Sequence, residues 1–310
     1  MDMVLSPDER QLQASIQQFL EGYKVLPKAE AVSWIGSDKL EAELVDSGYL
    51  DIGRTEGLGT FESMLLVEAV SQIPYSIEVG ASALVGPRVS VDPLPRPLAM
   101  ARTDEAGKIS GPVRYLPMAK AILVDTGKDV RVLDVAKCKF RSVETLFAYP
   151  IGVIEQADLG AAKVLGGVTT AALRHAWQLA LSTEILGCAN SAIDITLNYL
   201  KERQQFGKHI GSFQALQHRI SECVTMLESL RILVYRAATT NKPADAAVAA
   251  FYAQDVAPRI ILDTQQMHGA MGCTLEYPLH FWTYRMKVLQ GELGGSLEQA
   301  VSAADLLWAA

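Results

Sequence analysis

Two stretches decide how this chain reads. One is Tyr199-Leu-Lys-Glu-Arg203-Gln-Gln205-Phe206-Gly207, continued by Phe213-Gln214 and Gln217-His218. The other is Gln266-Met-His-Gly269-Ala270-Met-Gly272, followed by Glu276-Tyr277-Pro278. Arg203 offers a planar, permanently charged fork suited to a pyrophosphate. Gly207 lets the chain leave a helix at once, which predicts Arg203 at a bundle edge with the aromatic face of Phe206 beside it. Gln214 and Gln266 carry amides able to bond a ribose or an adenine edge. Gly269 and Gly272 permit close backbone approach to a ligand or a neighbouring helix. Each also has a plainer reading. Arg203 alone is a surface ion-pairing residue, the glutamines are solvated amides, and the glycines end a helix. His218 and His268 read as core or rim histidines, and Tyr277-Pro278 as a structural corner.

Working outward, Thr169–Arg203 contains no proline, and Leu173, Trp177, Leu181, Ile185, Ala189, Ile193 and Leu197 recur every fourth position. A four-residue step drifts around a 3.6-residue helix, so the apolar surface spreads as it does on a central bundle helix. Ser212 is placed to cap a second helix that breaks at Asn241-Lys242-Pro243. A third runs from Ala244 to His268 with Pro258 inside it, and a fourth covers Leu279–Gln290. Ser296 and Gln299 are spaced as a capping box for the last. Near the start, Ser6 and Glu9 form another, with Pro7 at the first helical position. Leu12, Ile16 and Leu20 share a face behind it. Leu40, Leu44 and Val45, then Phe61, Leu65, Val67 and Val70, mark two more helices, and Ser76–Leu84 a fourth. Between these halves, after the prolines of Val91–Pro97, the pattern is extended. Lys108–Leu116, Ala119–Val124 and Val130–Val135 read as strands, with a turn at Asp125–Lys128. The expected fold is mainly α with a small β module: an N-terminal helical domain (1–90), a reduced β domain (91–155) and a C-terminal helical bundle (156–310).

The 310 residues carry 28 Lys+Arg against 35 Asp+Glu, a net charge of −7, which argues against binding a phosphate backbone, so no nucleic-acid partner is expected. Apolar residues are 49% and charged residues 20%, ordinary for a domain with a large core. No stretch approaches the ~20 apolar residues of a membrane span, and Met1–Gln13 lacks the features of a secretory signal. Cys138, Cys188, Cys223 and Cys273 match no zinc spacing. A cytoplasmic protein without a metal site or a membrane partner is expected.

In this order, after a helix–β–helix chain, the two stretches resemble the acyl-CoA dehydrogenase family, whose C-terminal bundle carries YxxxRxQFG…FQ and then QxxGGxG…EYP. Gly111-Pro-Val-Arg-Tyr-Leu-Pro-Met-Ala119 with Ala121–Val124 resembles, more weakly, a strand of its β domain. The resemblance implies that Arg203, Phe206, Gln214, Gln266, Gly269 and Gly272 hold the ADP half of an FAD whose ring is gripped across a dimer interface. Family enzymes take the α-proton of a CoA thioester with a carboxylate, usually in a run like RDAKxxxxxEGT after EYP. That pattern, laid on from Glu276 without a gap, puts Leu293 at the base position and Glu292 beside it. One residue is ~100° on a helix, so Glu292 is expected to point elsewhere. The other position used in the family, on the first bundle helix, is Trp177. The middle segment also lacks a TEPxAGSD-like loop and an aromatic–Ile–Thr strand over the isoalloxazine.

The resemblance therefore implies a shortened, non-catalytic partner subunit with no catalytic residue of its own. It is similar to one subunit type of the α2β2 acyl-CoA dehydrogenases of steroid side-chain β-oxidation and lipid metabolism, and it would share FAD with a companion that supplies the flavin pocket and the catalytic Glu. Acyl-CoA is the implied substrate and an electron-transfer flavoprotein the implied acceptor. Two alternatives stay open: a self-sufficient homo-oligomeric enzyme using Glu292, and a structural subunit without FAD contact.

Overall fold

The computed structural model describes residues 5–25 and 32–308. Its centre is the 33-residue helix α5 (Thr170–Glu202), started by Thr169, whose Oγ1 accepts from Ala172 N at 3.1 Å. Buried side chains lie all around it from Leu173 to Leu200, as the drifting apolar pattern requires. Helices α3 (Thr60–Gln72), α6 (Gln214–Thr240), α7 (Pro243–His268) and α8 (His280–Leu289) pack against it, and α9 (Gly295–Trp308) covers α7. Before them come α1 (Pro7–Leu20) and α2 (Asp38–Asp46). The capping box of α1 is complete: Ser6 N donates to Glu9 Oε2 (2.6 Å) and Glu9 N to Ser6 Oγ (3.2 Å).

Helices α3 and α5 touch at Gly187. A Cβ there would stand 2.5 Å from the Glu68 carbonyl oxygen and 2.6 Å from Ser71 Cβ. Gly187→Val forces the two backbones apart and is expected to lower stability by about 1–3 kcal/mol, read by denaturant unfolding. The end of α3 is satisfied by distant side chains. Gln72 O accepts from Ser191 Oγ (2.8 Å) and Trp282 Nε1 (3.0 Å), and the buried Arg285 donates to Ile73 O (2.7 Å) and Tyr75 O (3.3 Å).

The β module holds two small sheets. In one, β1 (Leu98–Arg102) runs parallel to β3 (Ala121–Asp125), which pairs antiparallel with β4 (Val130–Asp134) and through it β7 (Lys163–Val164). In the other, β6 (Ile151–Gln156) lies between β2 (Pro112–Arg114) and β5 (Lys139–Val143). Val113, Leu116, Ile122, Val124 and Leu133 build a core of their own between them.

Four local expectations are corrected. Ser76–Leu84 is not an α-helix: residues 76–79 have no regular structure, Gly80–Val85 is π-helical, and α4 (Gly86–Val89) follows. The buried Glu78 carboxylate accepts from Ala81 N (2.7 Å) and from Ser82 Oγ, giving the π turn a side-chain cap. The strand expected over Lys108–Leu116 is only three residues long, because Tyr115 turns the chain at φ +61°. Ser212 does not cap α6, since its Oγ donates back to His209 O (2.7 Å) and Phe213 stands at the helix start. Gln299 is in no capping box: its amide donates to Leu293 O (2.6 Å) and accepts from Gln178 Nε2 (2.6 Å).

Candidate functional site

The C-terminal end of α5, the start of α6 and the C-terminal end of α7 meet at one end of the bundle. A stack joins them: Tyr199 lies on His268 with ring centroids 4.3 Å apart, and Tyr277 closes on both at 5.7 and 4.8 Å. His268 is buried, with Nδ1 bonded to Thr264 O at 2.8 Å, while His218 is exposed. Here α5 ends at Glu202 and Arg203 already has extended dihedrals, so Gly207 is not where the chain leaves the helix. Gln204–Gln205 instead pairs with Lys208–His209 in a tight hairpin, with Phe206 (φ +54°) and Gly207 (φ +78°) at its tip. Phe206 is 90% exposed, edge-on to Phe213.

Arg203 is exposed and has no ion-pair or side-chain hydrogen-bond partner among the described residues. Gln214 opens α6 and Gln266 sits in the last turn of α7, both exposed. Gly269 holds φ +64°, and Gly272 is buried where a Cβ would collide with the Gln265 carbonyl. The structure thus puts the selected residues at one end of the bundle, with the charged and amide groups facing outward.

A second place lies between the β module and the bundle. It is a cleft of about 490 Å³, bounded by Met100, Arg114, Trp177, Lys287, Glu292 and Leu293 among others. The two positions considered for a base, 116 residues apart, line this one cleft. Trp177 Nε1 donates to Glu292 Oε2 at 3.1 Å. Glu292 does not point elsewhere, because residues 292–294 form a 3₁₀ turn with Leu293 left-handed (φ +53°) rather than a continuous α-helix. The helical rotation argument fails there, and Leu293 is buried.

The cleft ends on a group that sequence reasoning missed. Arg114 donates from Nε to Glu292 Oε1 (2.5 Å) and from Nη1 to Glu184 Oε2 (2.6 Å). Its guanidinium lies over Tyr149 at 4.7 Å and near Tyr115 at 5.4 Å. Burial alone would lower the Arg114 pKa, but Glu184 and Glu292 hold it well above its ordinary value. Burial pushes Glu184 up against the pull of Arg114. One signal was available: Glu184 is the lone charge in the apolar run Ala176–Ala189, and a buried carboxylate needs a partner. Among the described residues, no group of three or more His, Cys, Asp or Glu side chains is placed to hold a metal ion.

Comparison with known proteins agrees with this architecture. Residues 167–301 match the family model described as the C-terminal domain of acyl-CoA dehydrogenase. Acyl-CoA dehydrogenase IpdE2 of Mycolicibacterium smegmatis is 29% identical over 160 residues, which are 50% of this chain and 51% of that protein. The match therefore spans about half the length of that curated relative. Among solved structures, a chain of the Tcur3481-Tcur3483 steroid ACAD aligns over 97% of both chains at TM-score 0.76 and 23% identity. A chain of the ChsE4-ChsE5 complex from Mycobacterium tuberculosis does so over 97% of both at 0.74 and 20%. The chain has the acyl-CoA dehydrogenase fold, and residues 167–301 are similar to that family's C-terminal domain.

Proposed function

We propose that this chain is the non-catalytic partner subunit of a heteromeric FAD-dependent acyl-CoA dehydrogenase, a cytoplasmic oxidoreductase complex that desaturates the α,β bond of a CoA thioester. The observation that carries the reading is the cleft. Its two base positions hold Trp177 and Leu293, and the carboxylate that lines it, Glu292, is paired with Arg114, which Glu184 holds from behind. The fold likeness to a steroid ACAD and to the ChsE4-ChsE5 complex supports a two-subunit assembly and a steroid side-chain acyl-CoA as substrate.

The outward-facing end of the bundle fits the ADP half of FAD. An exposed guanidinium without a partner among the described residues and two exposed amides form a donor set for a pyrophosphate and a ribose, and Gly269 keeps the surface beside them open. When bound, FAD supplies the hydride acceptor. On this chain, Arg203 neutralises and orients the pyrophosphate, Gln214 and Gln266 bond the nucleoside, and Phe206 and Gly272 shape the surface they stand on. The carboxylate that takes the α-proton belongs to the companion, and an electron-transfer flavoprotein receives the electrons.

The position of Glu292 in the cleft favours one rival reading, in which it is the base of a self-sufficient enzyme. Glu292→Gln separates them. In the complex with its companion, turnover is expected to stay within about twofold, whereas loss of a general base costs about 10²–10⁴-fold. Flavin absorbance of the chain purified alone checks the same point, since one flavin per protomer without a companion contradicts the partner role.

A further inference from the structure

We propose that Arg114 is a resident bridge: it occupies the inner end of this chain's own cleft and docks the β module onto the helical body there, without a bound ring. The inference deepens the reading above and rests on its claim that the flavin ring lies with the companion.

The geometry carries it. Arg114 sits on β2, paired in register with Ile151 of β6, so it belongs to the module. Its two carboxylate partners belong elsewhere: Glu184 is in the middle of α5, and Glu292 is in the turn before α9. Both edges of the guanidinium are used, since Nη2 adds contacts of 3.3 Å to each carboxylate. One face is covered by Tyr149, whose hydroxyl donates to Glu184 Oε2 at 3.4 Å. The side chain of Arg114 is 8% exposed. The body is shaped to receive this bridge. A Cβ on Gly80, in the π turn, would collide with Glu184 Oε1, so the turn leaves room for that carboxylate. Tyr115 adds a second tie through its hydroxyl to Ile77 O at 2.9 Å. A fork satisfied on both edges and stacked on a face offers little to a ligand, and it fastens three elements far apart in sequence.

Hydrogen exchange on the full chain tests this. The comparison is between wild type and Arg114→Met combined with Glu184→Gln, which keeps the reach of the side chain and leaves no unpaired carboxylate on α5. Amide exchange over 113–114 and 151–156 is expected to rise tenfold or more, while 176–200 stays within twofold. Arg114→Lys recovers part of the protection, because a single charge replaces a fork. Should the double variant fail to fold, Glu292→Gln removes one arm and is expected to give about a threefold rise in the same strands alone. Unchanged exchange in those strands overturns the proposal. So does protection of 113–114 when FAD is added to the wild-type chain alone, since a ring would then be entering the cleft. Unchanged strand exchange strikes the bridge alone, whereas protection by FAD strikes the partner-subunit reading with it, so the two failures are distinguishable.

Discussion

Arg203→Ala leaves the protein folded and strips flavin from the assembled complex. The side chain is exposed and has no intrachain partner among the described residues, so its loss removes no internal contact and the melting temperature is expected to stay within about a degree. A bidentate, charge-assisted pair with a pyrophosphate contributes about 1.5–3 kcal/mol, which corresponds to roughly a 10–100-fold weaker Kd for FAD. Dialysis followed by the ratio of flavin to protein absorbance reads this directly. Because the group faces solvent, the difference between wild type and variant shrinks as salt rises. Arg203→Lys restores only part of the retention, since an ammonium cannot span two phosphate oxygens. Equal flavin retention by Arg203→Ala and wild type would remove the ADP-end assignment.

Glu78→Gln is expected to stabilise the chain above neutral pH. Glu78 is fully buried, and burial pushes its pKa up to about 7 from an ordinary 4.5. The bonds from Ser82 and Ala81 partly offset that shift, and the nearby Glu184 adds to it. Between those two pH values the folded state binds more protons than the unfolded one. The stabilisation is therefore full below about 4.5 and is lost as pH rises through about 7. The amount at stake is about 3 kcal/mol. Glutamine resembles the protonated acid at every pH, so the variant is expected to melt like wild type at pH 5 and several degrees higher at pH 8. His268 and His280 are pushed down by burial and act with the opposite sign, gaining stability as pH rises, but they cancel in the difference between the two proteins. Melting curves that stay parallel from pH 5 to 8 would show that Glu78 does not titrate in this range.

The helices were legible where a local signal sets them. Ser6 and Glu9 start α1, and the four-residue apolar step within the proline-free stretch from Thr169 names the helix buried on all sides, because these features depend on nearby residues. The bundle end was legible through residue types that are unusual on a helix surface. What escaped were groups whose meaning depends on partners far away. Ser212 and Gln299 have the spacing of caps, yet each spends its polar atoms elsewhere. The left-handed Leu293 undoes a rotation argument that holds only for an unbroken helix. Arg114 meets Glu184 and Glu292 across 70 and 178 residues, and no periodicity can announce such a meeting.

The Ile73 carbonyl at the end of α3 waits for Arg285, which follows 212 residues later. A ribosome adding about 5–20 residues per second leaves it without that partner for roughly 10–40 s. The first helices to emerge cannot be completed during most of synthesis. The chain is thereby committed to late, near-complete assembly, and for that interval it depends on whatever shields nascent apolar surface in the cell.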